Sequence, residues 1–262
     1  MEIRFEKWEG TGNDFILVDD RTAEFPIMDL PLIARMCHRH FGIGSDGLVM
    51  LRSADRDQVE FHMEFFNPDG SRSFCGNGSR CAYAFWSSLT GSKGPARFTA
   101  IDGEHSGEWV GEEVAISVSD VRGVNSRTDG PNVDFVHTGS PHELVWVDDV
   151  EVVDVEADGP KRRYADRHGG TGSNVNFVQP HQGGIRMRTY ERGVEAETLS
   201  CGSGVVAAAL SAVQRGAARV PVQVLTRGGL LRVEAGRSVE DGFDQIRLIG
   251  PVRRVFCGTI EV

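Results

Sequence analysis

The sequence has little lysine, a deficit of positive charge and no long apolar segment. Lysine occurs only at Lys7, Lys93 and Lys161, and the formal net charge is −10 over 262 residues. This balance argues against a nucleic-acid partner, because phosphate backbones are bound by an excess of lysine and arginine. No apolar run approaches the length of a membrane span, and residues 1–6 do not resemble a signal peptide. We therefore expect a cytoplasmic protein without membrane association.

The few cysteines do not favour a disulfide scaffold or a zinc ribbon. The chain has five, an odd number, and none lies in a C-x-x-C pair. His137 and His142 have no second ligand pair nearby, so we expect no metal site. Hydrophobic residues make up 40% of the chain and charged residues 25%. Such a composition is typical of one large globular domain or two modest ones.

The most informative feature is a short pattern that occurs twice. Cys75-Gly76-Asn77-Gly78 and Cys201-Gly202-Ser203-Gly204 each precede a stretch of small and apolar residues, which ends near Gly91 or Gly216. This arrangement predicts a helix that begins at the cysteine and has a glycine just past its end. The N–H groups at such a helix start favour an anion, and the same field favours the thiolate form of a cysteine there.

The surroundings of the pattern also repeat. Residues 170–178 (GTGSNVNFV) resemble residues 10–18 (GTGNDFILV), and a strand with alternating apolar residues precedes each cysteine pattern, near 59–65 and 185–189. The order strand, GTG turn, strand, Cys-Gly-x-Gly, helix, strand therefore occurs twice, which predicts a duplicated domain. Two related halves that face each other would place their helix starts across one cleft, a common position for a ligand.

A further helix is predicted from Asp29, which would be its N-cap, with Pro31 in the first turn. Its buried face would consist of Leu32, Ile33, Met36 and Cys37. Cys81 lies six residues past Cys75 and on another face of the same helix, so we interpret it as a packing residue.

A pair of cysteines at helix starts suits the inversion of a stereocentre that carries an acidic proton. One group removes the proton from one face of the carbon, and the other returns a proton to the opposite face. The reference pKa of cysteine is about 8.5, and a helix N-terminus lowers it. The amides of the first turn can stabilise the negative charge that spreads onto the adjacent carboxylate.

Further motifs accompany the two cysteine patterns. They are Gly12-Asn13-Asp14-Phe15, Phe41-Gly42-Ile43-Gly44, Asn67-x-Asp69-Gly70, Gly139-x-Pro141-His142, Asn174-Val175-Asn176-Phe177 and the run Tyr190–Gly204. Together the motifs resemble the diaminopimelate epimerase family over essentially the whole chain. That resemblance implies cofactor-independent epimerisation of L,L-diaminopimelate to meso-diaminopimelate, in lysine and peptidoglycan biosynthesis.

The resemblance also implies roles for individual residues. Cys75 and Cys201 would be the catalytic acid–base pair, and His142 and Glu191 would tune their pKa values. Backbone amides would bind the carboxylate at the reacting end, and polar side chains would bind the rest of an amino-acid substrate. The substrate-binding residues would be Asn13, Asn67, Gly76, Asn77, Asn174, Glu191, Arg192, Gly202 and Ser203. No pyridoxal phosphate or metal is expected, and a homodimer is.

We accordingly expect an α/β fold of the α+β type with two pseudo-symmetric halves, each a curved, mainly antiparallel sheet around a central helix. The N-terminal half would span residues 1–121 and contain Cys75, joined by the last strand at about 252–262. The C-terminal half would span residues 122–251 and contain Cys201. The chain departs from the family at Ser140 and Gly47, where the family often has asparagine and glutamine.

Other interpretations stay open at this point. A related proline racemase or hydroxyproline epimerase would share the fold and the cysteine pair, although residues 190–193 favour the diaminopimelate type. A rival of another class is a thiol redox sensor, or a binding protein that closes on a ligand without turning it over. Oxidation of a redox sensor would join Cys75 to Cys201. Several proposed site residues also have a structural interpretation. These are core packing for the cysteines, a hydrogen-bonded role for His142, a solvated Glu191–Arg192 pair, and turn positions for Asn13, Asn67 and Asn174.

Overall fold

The computed structural model describes residues 1–126, 128–238 and 242–261. Contacts within the chain divide it into two compact units, one formed by residues 1–116 with those from 250 onward and the other by residues 117–249. Residues 127 and 239–241 of the predicted C-terminal half lie outside the described residues, as does residue 262 of the predicted last strand.

The described residues form mostly β-structure. The strands are β1 (Glu2–Gly10), β2 (Asn13–Asp19), β3 (Gly47–Arg52), β4 (Phe61–Phe66), β5 (Ala96–Ala100), β6 (Gly103–Val110), β7 (Glu113–Ser117), β8 (Val124–Ser126), β9 (Val133–His137), β10 (Pro141–Trp146), β11 (Asn174–His181), β12 (Gly184–Glu191), β13 (Ala196–Thr198), β14 (Val222–Thr226), β15 (Gly229–Arg237), β16 (Phe243–Gly250) and β17 (Arg253–Glu261). The helices are α1 (Leu30–Cys37), α2 (Gly76–Thr90), α3 (Val155–Arg163) and α4 (Gly202–Gln214), with a 3-10 turn at Asp166–His168. In this part of the chain no helix is long and apolar enough to cross a membrane.

The first unit is a mainly antiparallel sheet that packs against α2. Its strands pair in the order β17, β1, β2, β3, β4, β5, β6, β7, and only β2–β3 and β4–β5 are parallel. α1 lies in the connection between β2 and β3, and α2 lies between β4 and β5. α2 contacts β1, β2, β3, β4 and β6, so the helix that follows Cys75 is the centre of this unit.

The second unit has the same topology. Its strands pair in the order β8, β9, β10, β11, β12, β14, β15, β16, and again only the third and fifth pairings, β10–β11 and β12–β14, are parallel. α3 and α4 occupy the same two connections as α1 and α2, and β13 is an additional short strand beside β12. The predicted duplication, with mixed α/β structure, is therefore confirmed at the level of strand order.

The predicted alignment of the two repeats is wrong in one place. Residues 170–173 lead into β11, which is parallel to β10 in the same way that β3 is parallel to β2. Their counterpart is therefore the segment before β3, and the counterpart of the turn at 10–13 is the turn at 138–141 between β9 and β10. A glycine-rich run serves many kinds of turn, so its local similarity did not identify the equivalent position.

The structure also has a helix where the repeat predicted a strand. α3 precedes residues 170–172, and its N-cap Asp154 accepts a hydrogen bond of 3.0 Å from the N–H of Ala157. Its sequence, VEADGPKRR, contains Gly159 and Pro160 and has almost no apolar periodicity. Because these residues disfavour helix interiors, neither propensity nor pattern indicated it.

The three predicted helices are confirmed, together with their starts and with the glycines predicted at the ends of α2 and α4. Asp29 caps α1 by accepting a 3.0 Å hydrogen bond from the N–H of Leu32, and the four residues of its predicted inner face are buried. α2 and α4 begin directly after Cys75 and Cys201. Gly91 and Gly216, which follow them, both have φ of 72°, the left-handed conformation that glycine adopts without strain.

The far end of α4 is fastened to the sheet by a buried carboxylate. Asp134 on β9 is fully buried, and its two oxygens accept from Arg215 Nε at 2.6 Å and Arg215 Nη2 at 2.7 Å. Oδ2 also accepts from Ser211 Oγ at 2.5 Å and from Trp146 Nε1 at 3.2 Å. A bidentate pair of this kind fixes direction as well as distance, and therefore helps to hold α4 and the cysteine at its other end in place.

Candidate active site

Cys75 is the N-cap of α2, as the sequence pattern predicts. Its backbone is extended, with φ of −132° and ψ of 109°, and its carbonyl accepts the first intrahelical hydrogen bond from the N–H of Ser79 at 2.8 Å. Its sulfur lies 3.4 Å from the N–H of Gly78, which donates to it. A hydrogen bond to sulfur and the positive end of the helix dipole both favour the thiolate. The half-buried position leaves the thiol partly accessible.

Asn13 is oriented toward the Cys75 thiol by two neighbours. Its Nδ2 donates to Asp46 Oδ2 at 2.5 Å, which fixes which end of the amide is which. Its Oδ1 therefore faces the other way, 4.0 Å from Cys75 Sγ, and accepts from Asn77 Nδ2 at 3.4 Å. Three of the predicted site residues thus lie together at the start of α2.

A group of charged side chains lies on the side of Asn13 that faces away from Cys75. Arg39 Nη2 lies 2.7 Å from Asp14 Oδ1 and 2.6 Å from Asp46 Oδ1, and Lys7 lies 2.6 Å from the other oxygen of Asp14. Burial opposes ionisation of Asp14, but hydrogen bonds from Arg39 and Lys7 lower its pKa to about 2. Burial and the adjacent Asp14 charge raise the pKa of Asp46. The pKa values of the two carboxyl groups are therefore shifted in opposite directions, and Asp46 is the one whose side chain contacts the side chain of Asn13.

Asn67 shapes the loop that leads into Cys75. Its Nδ2 donates to Ser71 O at 3.2 Å and to Ser73 Oγ at 3.2 Å, and its backbone N–H donates to Ser71 O at 2.8 Å. These bonds close the Asn67–Ser73 turn. A direct contact of Asn67 with substrate stays a prediction.

Cys201 is the N-cap of α4 and belongs to a chain of hydrogen-bonding groups. It is buried, and its sulfur lies 3.6 Å from Ser203 Oγ. Ser203 Oγ lies 3.0 Å from His142 Nε2, and Ser140 Oγ lies 2.9 Å from the same nitrogen. His142, predicted to tune a thiol, is therefore connected to Cys201 through the Ser203 hydroxyl.

The proton on His142 can be assigned from its other neighbour, Asn176. Asn176 Nδ2 donates to the backbone oxygen of Glu143 at 3.1 Å, and its Oδ1 accepts from Thr189 Oγ1 at 3.0 Å. The amide nitrogen is thus the end that faces His142 Nδ1, at 3.2 Å. Since Nδ1 accepts this hydrogen bond, the ring carries its proton on Nε2 and donates toward the two serines.

His142 is a neutral imidazole in this setting. Burial lowers its pKa to about 3, and the positive Arg192 acts in the same direction. At neutral pH the ring can therefore supply one N–H bond but not a positive charge. Ser140 and Ser203 share that bond as acceptors, and Ser203 can donate its own proton to Cys201 Sγ, so the thiolate is stabilised by aligned neutral dipoles.

The glycines of the two cysteine patterns differ in what they make possible. A Cβ at Gly204 would lie 2.6 Å from Asn176 Oδ1 and 3.4 Å from His142 Cε1. A Cβ at Gly78 would meet only ordinary contacts, the nearest being Cys75 Cβ at 3.4 Å. Gly204 is therefore needed for the close approach of α4 to the His142 network, whereas Gly78 has no equivalent steric role.

Asn174, Arg192 and Glu191 lie at the opposite end of the same network. Asn174 Oδ1 accepts from the N–H of Arg192 at 2.9 Å, and its Nδ2 donates to Pro141 O at 3.0 Å. Glu191, the last residue of β12, accepts from Thr198 Oγ1 at 2.7 Å. The structure thus groups Asn174 and Arg192 with Ser140 and His142. An effect of Glu191 on a thiol stays a prediction.

The two departures from the family pattern have local explanations. Ser140 Oγ lies 2.9 Å from His142 Nε2, so the hydroxyl is within hydrogen-bond distance of the histidine. At Gly47, a Cβ would lie 2.4 Å from Phe65 Cε2 and 2.8 Å from Phe66 O. The ring of Phe65 occupies the space that a longer side chain at position 47 would need.

Sequence reasoning did not assign roles to Asp46 or Asn176, both of which orient a predicted residue. Asn176 lies two positions after Asn174 on β11, hence on the same face, and this spacing was a usable signal. Asp46 is 33 positions from Asn13, so no local pattern connects them. Residues 1–126, 128–238 and 242–261 contain no group of three or more His, Cys, Asp or Glu arranged to hold a metal.

The glycine comparison gives a matched pair of variants. Gly204→Ala should lower the free energy of unfolding by about 1–3 kcal/mol, because the new methyl group displaces Asn176. Gly78→Ala should change it by less than about 1 kcal/mol, since alanine is the better helix former and meets no clash. Urea denaturation of both variants measures the difference. Equal stability of the two variants would contradict the proposed steric role of Gly204.

Comparisons with known proteins agree with the fold and the motifs. A sequence model described as "Diaminopimelate epimerase" matches residues 5–122 and 135–254. The diaminopimelate epimerase of Flavobacterium psychrophilum is 40% identical over 262 residues, covering 98% of this chain and 100% of the relative. That of Aquifex aeolicus is 37% identical over 279 residues, covering 99% of this chain and 98% of the relative.

Solved structures of more distant proteins share the fold. A Bacillus anthracis phenazine biosynthesis protein of the PhzF family superposes with a TM-score of 0.77 at 14% identity, covering 100% of both chains. A hydroxyproline epimerase from Agrobacterium vitis superposes with a TM-score of 0.72 at 13% identity, covering 99% of this chain and 92% of the other. The sequence matches cover nearly all of this chain and of its relatives, and the chain belongs to the diaminopimelate epimerase family.

Proposed function

We propose that this protein interconverts L,L- and meso-diaminopimelate by removing and returning the proton of one α-carbon. Membership of the family supports the substrate, since the relatives at 37–40% identity are named diaminopimelate epimerases. The observation that carries the chemistry is the occurrence of a cysteine at the N-cap of a central helix in each of the two repeats, at Cys75 and Cys201.

In the proposed reaction the two thiols act on opposite faces of the same α-carbon. One is a thiolate and takes the α-proton, and the other is a thiol and donates its proton to the opposite face. After turnover the two groups have exchanged protonation states, so the same pair catalyses the reverse direction. The contacts around Cys75 and Cys201 that favour a thiolate support this assignment, because an acid–base group works best with a pKa near the operating pH.

The first-turn amides of α2 and α4 are proposed to bind the carboxylate next to the reacting carbon. The first N–H groups of a helix have no acceptor within the helix, and the helix dipole adds positive potential there. Gly76 and Asn77 would serve from one helix, and Gly202 and Ser203 from the other. Negative charge that develops as the proton leaves is then stabilised by dipoles already in place.

The two thiols would be tuned differently. Around Cys201, the neutral His142 donates through Ser203 and thereby helps to hold the sulfur as a thiolate. Around Cys75, the N–H of Gly78 donates to the sulfur when it is a thiolate, and the carbonyl oxygen of Asn13 can accept from it when it is a thiol. Glu191 is proposed to lie near the reacting ammonium group, and Asn67, Asn174 and Arg192 are proposed to recognise or orient the distal part of the substrate.

We further propose that the reaction proceeds in the cytoplasm and without a cofactor. Both thiols must be reduced for acid–base work, and the cytoplasm keeps thiols reduced. Thiol–thiolate exchange at the α-carbon involves no electron transfer, and helix amides take the place of a carbonyl cofactor as the electron-stabilising group.

Cys75→Ala and Cys201→Ala should each reduce the turnover of diaminopimelate by at least about a hundredfold, because one face of the carbon then has no proton donor or acceptor. The assay follows conversion of L,L-diaminopimelate to the meso form by chiral chromatography, in reducing buffer with no added cofactor. Cys257→Ala is the matched control, since Cys257 is exposed on β17 and near-normal turnover is expected.

Near-normal turnover in either of the first two variants would contradict the two-thiol mechanism. Circular dichroism should show that all three variants retain the wild-type fold. L-proline and trans-4-hydroxy-L-proline serve as comparison substrates. Conversion of these by the wild-type protein, with none of diaminopimelate, would overturn the proposed substrate.

We also propose that the protein is a homodimer, as the family resemblance implies. Val255 and Phe256 on β17 are 51% and 47% exposed, and this strand therefore presents apolar surface that a second copy of the chain would cover. Sedimentation velocity should give twice the mass of one chain, and Phe256→Glu should shift the equilibrium toward the monomer. A wild-type protein that sediments as a monomer at micromolar concentration would contradict the proposal.

A further inference from the structure

Arg80, in the second turn of α2, is the largest of the fully buried side chains. Its Nη1 donates to Asn77 Oδ1 at 2.8 Å, and its Nη2 donates to Thr11 Oγ1 at 2.9 Å. Its Nε has no hydrogen-bond partner within the described residues. The two side chains that accept from Arg80, Asn77 and Thr11, are neutral. Among the described residues, no ion pair includes Arg80.

A buried charge that donates no hydrogen bond to a carboxylate is unfavourable for stability alone. Removing a guanidinium from water is costly, and a carboxylate partner normally offsets part of that cost. Burial lowers the pKa of Arg80 to about 10, yet the group still carries its charge at neutral pH. An apolar side chain of similar size would pack at this site without the desolvation cost, so the positive charge calls for another explanation.

The two hydrogen bonds of Arg80 act on predicted site residues. Arg80 has only donors, so its bond to Asn77 Oδ1 determines the orientation of that amide and directs Asn77 Nδ2 toward Asn13. The bond to Thr11 holds the turn that carries Asn13. A Cβ at Gly10 would lie 3.3 Å from Arg80 Nη2 and 3.2 Å from Asn77 O, so this turn packs closely against the start of α2.

The charge of Arg80 also acts on its surroundings. The groups that interact with it electrostatically include Cys81 and Cys75 on α2, Glu113 on β7 and Glu9 on β1. Cys81 is fully buried, and burial raises its pKa well above the usual range, so it stays a neutral thiol. Cys75 is the one of these groups that lies at the helix start and is partly accessible.

We propose that Arg80 is a positioning residue that orients Asn77 and Asn13 and supplies a buried positive charge favouring the thiolate of Cys75 and an anionic carboxylate at the start of α2. The proposal rests on the function proposed above, and it adds a second source of positive potential to the helix dipole. It also explains why a guanidinium occupies a core position of this helix.

The test measures ionisation of Cys75 directly and does not depend on turnover. The protein is pulsed with iodoacetamide between pH 5 and pH 10 in reducing-agent-free buffer, and alkylation of Cys75 and Cys201 is quantified from their separate peptides. In Arg80→Met the pH midpoint for Cys75 should rise by about one unit, because a nearby positive charge is lost. The midpoint for Cys201 should not change, which makes it an internal control.

Two further variants separate charge from packing. Arg80→Lys keeps the charge but cannot bridge Thr11 and Asn77 with a planar fork, so the midpoint of Cys75 should stay near the wild-type value while KM for diaminopimelate increases several-fold. Arg97→Met removes an exposed arginine from the same unit and should change neither quantity. If Arg80→Met does not fold, Arg80→Gln, which retains hydrogen bonding without charge, gives the same comparison.

An unchanged Cys75 midpoint in a folded, uncharged variant would overturn the inference and leave the proposed epimerase activity untouched. Absence of diaminopimelate turnover in the wild-type protein would instead overturn the proposed function, and the alkylation result would still be readable. A merely structural role for Arg80 predicts lower thermal stability without a shift of the Cys75 midpoint.

Discussion

The position of a cysteine at the first residue of a central helix is the constraint on which the rest of each unit depends. The N-cap residue has an extended backbone, so its side chain can lie over the first-turn amides and share their positive potential. In the two repeats the strands β4 and β12, which precede the cysteine patterns, pair in parallel with β5 and β14, which follow the helices. The sheet therefore fixes both ends of the helix, and buried contacts such as Asp134 with Arg215 keep it from shifting.

The two repeats meet this constraint with different chemistry. In the first unit the surroundings of Cys75 are charged: Asp46 orients Asn13, and a buried Arg80 orients Asn77. In the second unit the groups that connect to the Cys201 sulfur through Ser203 are neutral, because burial lowers the pKa of His142 to about 3. A reaction that converts one configuration into the other needs two groups with similar function, but not identical surroundings. Duplication followed by divergence of neighbouring residues accounts for both the shared topology and this difference.

Local signals in the sequence were sufficient to predict where helices start and end. They were not sufficient to predict the hydrogen-bond networks around the two cysteines. Asp29, Gly91 and the two cysteines each specify a helix boundary through bonds to residues within four positions, and a pattern can show that. The bonds of Asn13 to Asp46 and of Arg80 to Thr11 span 33 and 69 positions. The first depends on the pairing of β2 with β3, and the second on the packing of α2 against β1 and β2. The correct alignment of residues 170–173 with the segment before β3 also follows from strand pairing, which residue composition does not reveal. The same is true of the position of the polar helix α3.

The most direct test of the two-thiol account measures deuterium at the α-carbon after a single turnover. Wild-type protein converts L,L-diaminopimelate in D2O, and mass spectrometry compares deuterium in the first meso product with deuterium in the recovered substrate. Thiols equilibrate with solvent, so a proton taken on one face and a different one returned on the other predicts a product with one deuterium and a substrate with none. A product that retains the original proton would mean that a single group carries it between the faces, and would contradict the account.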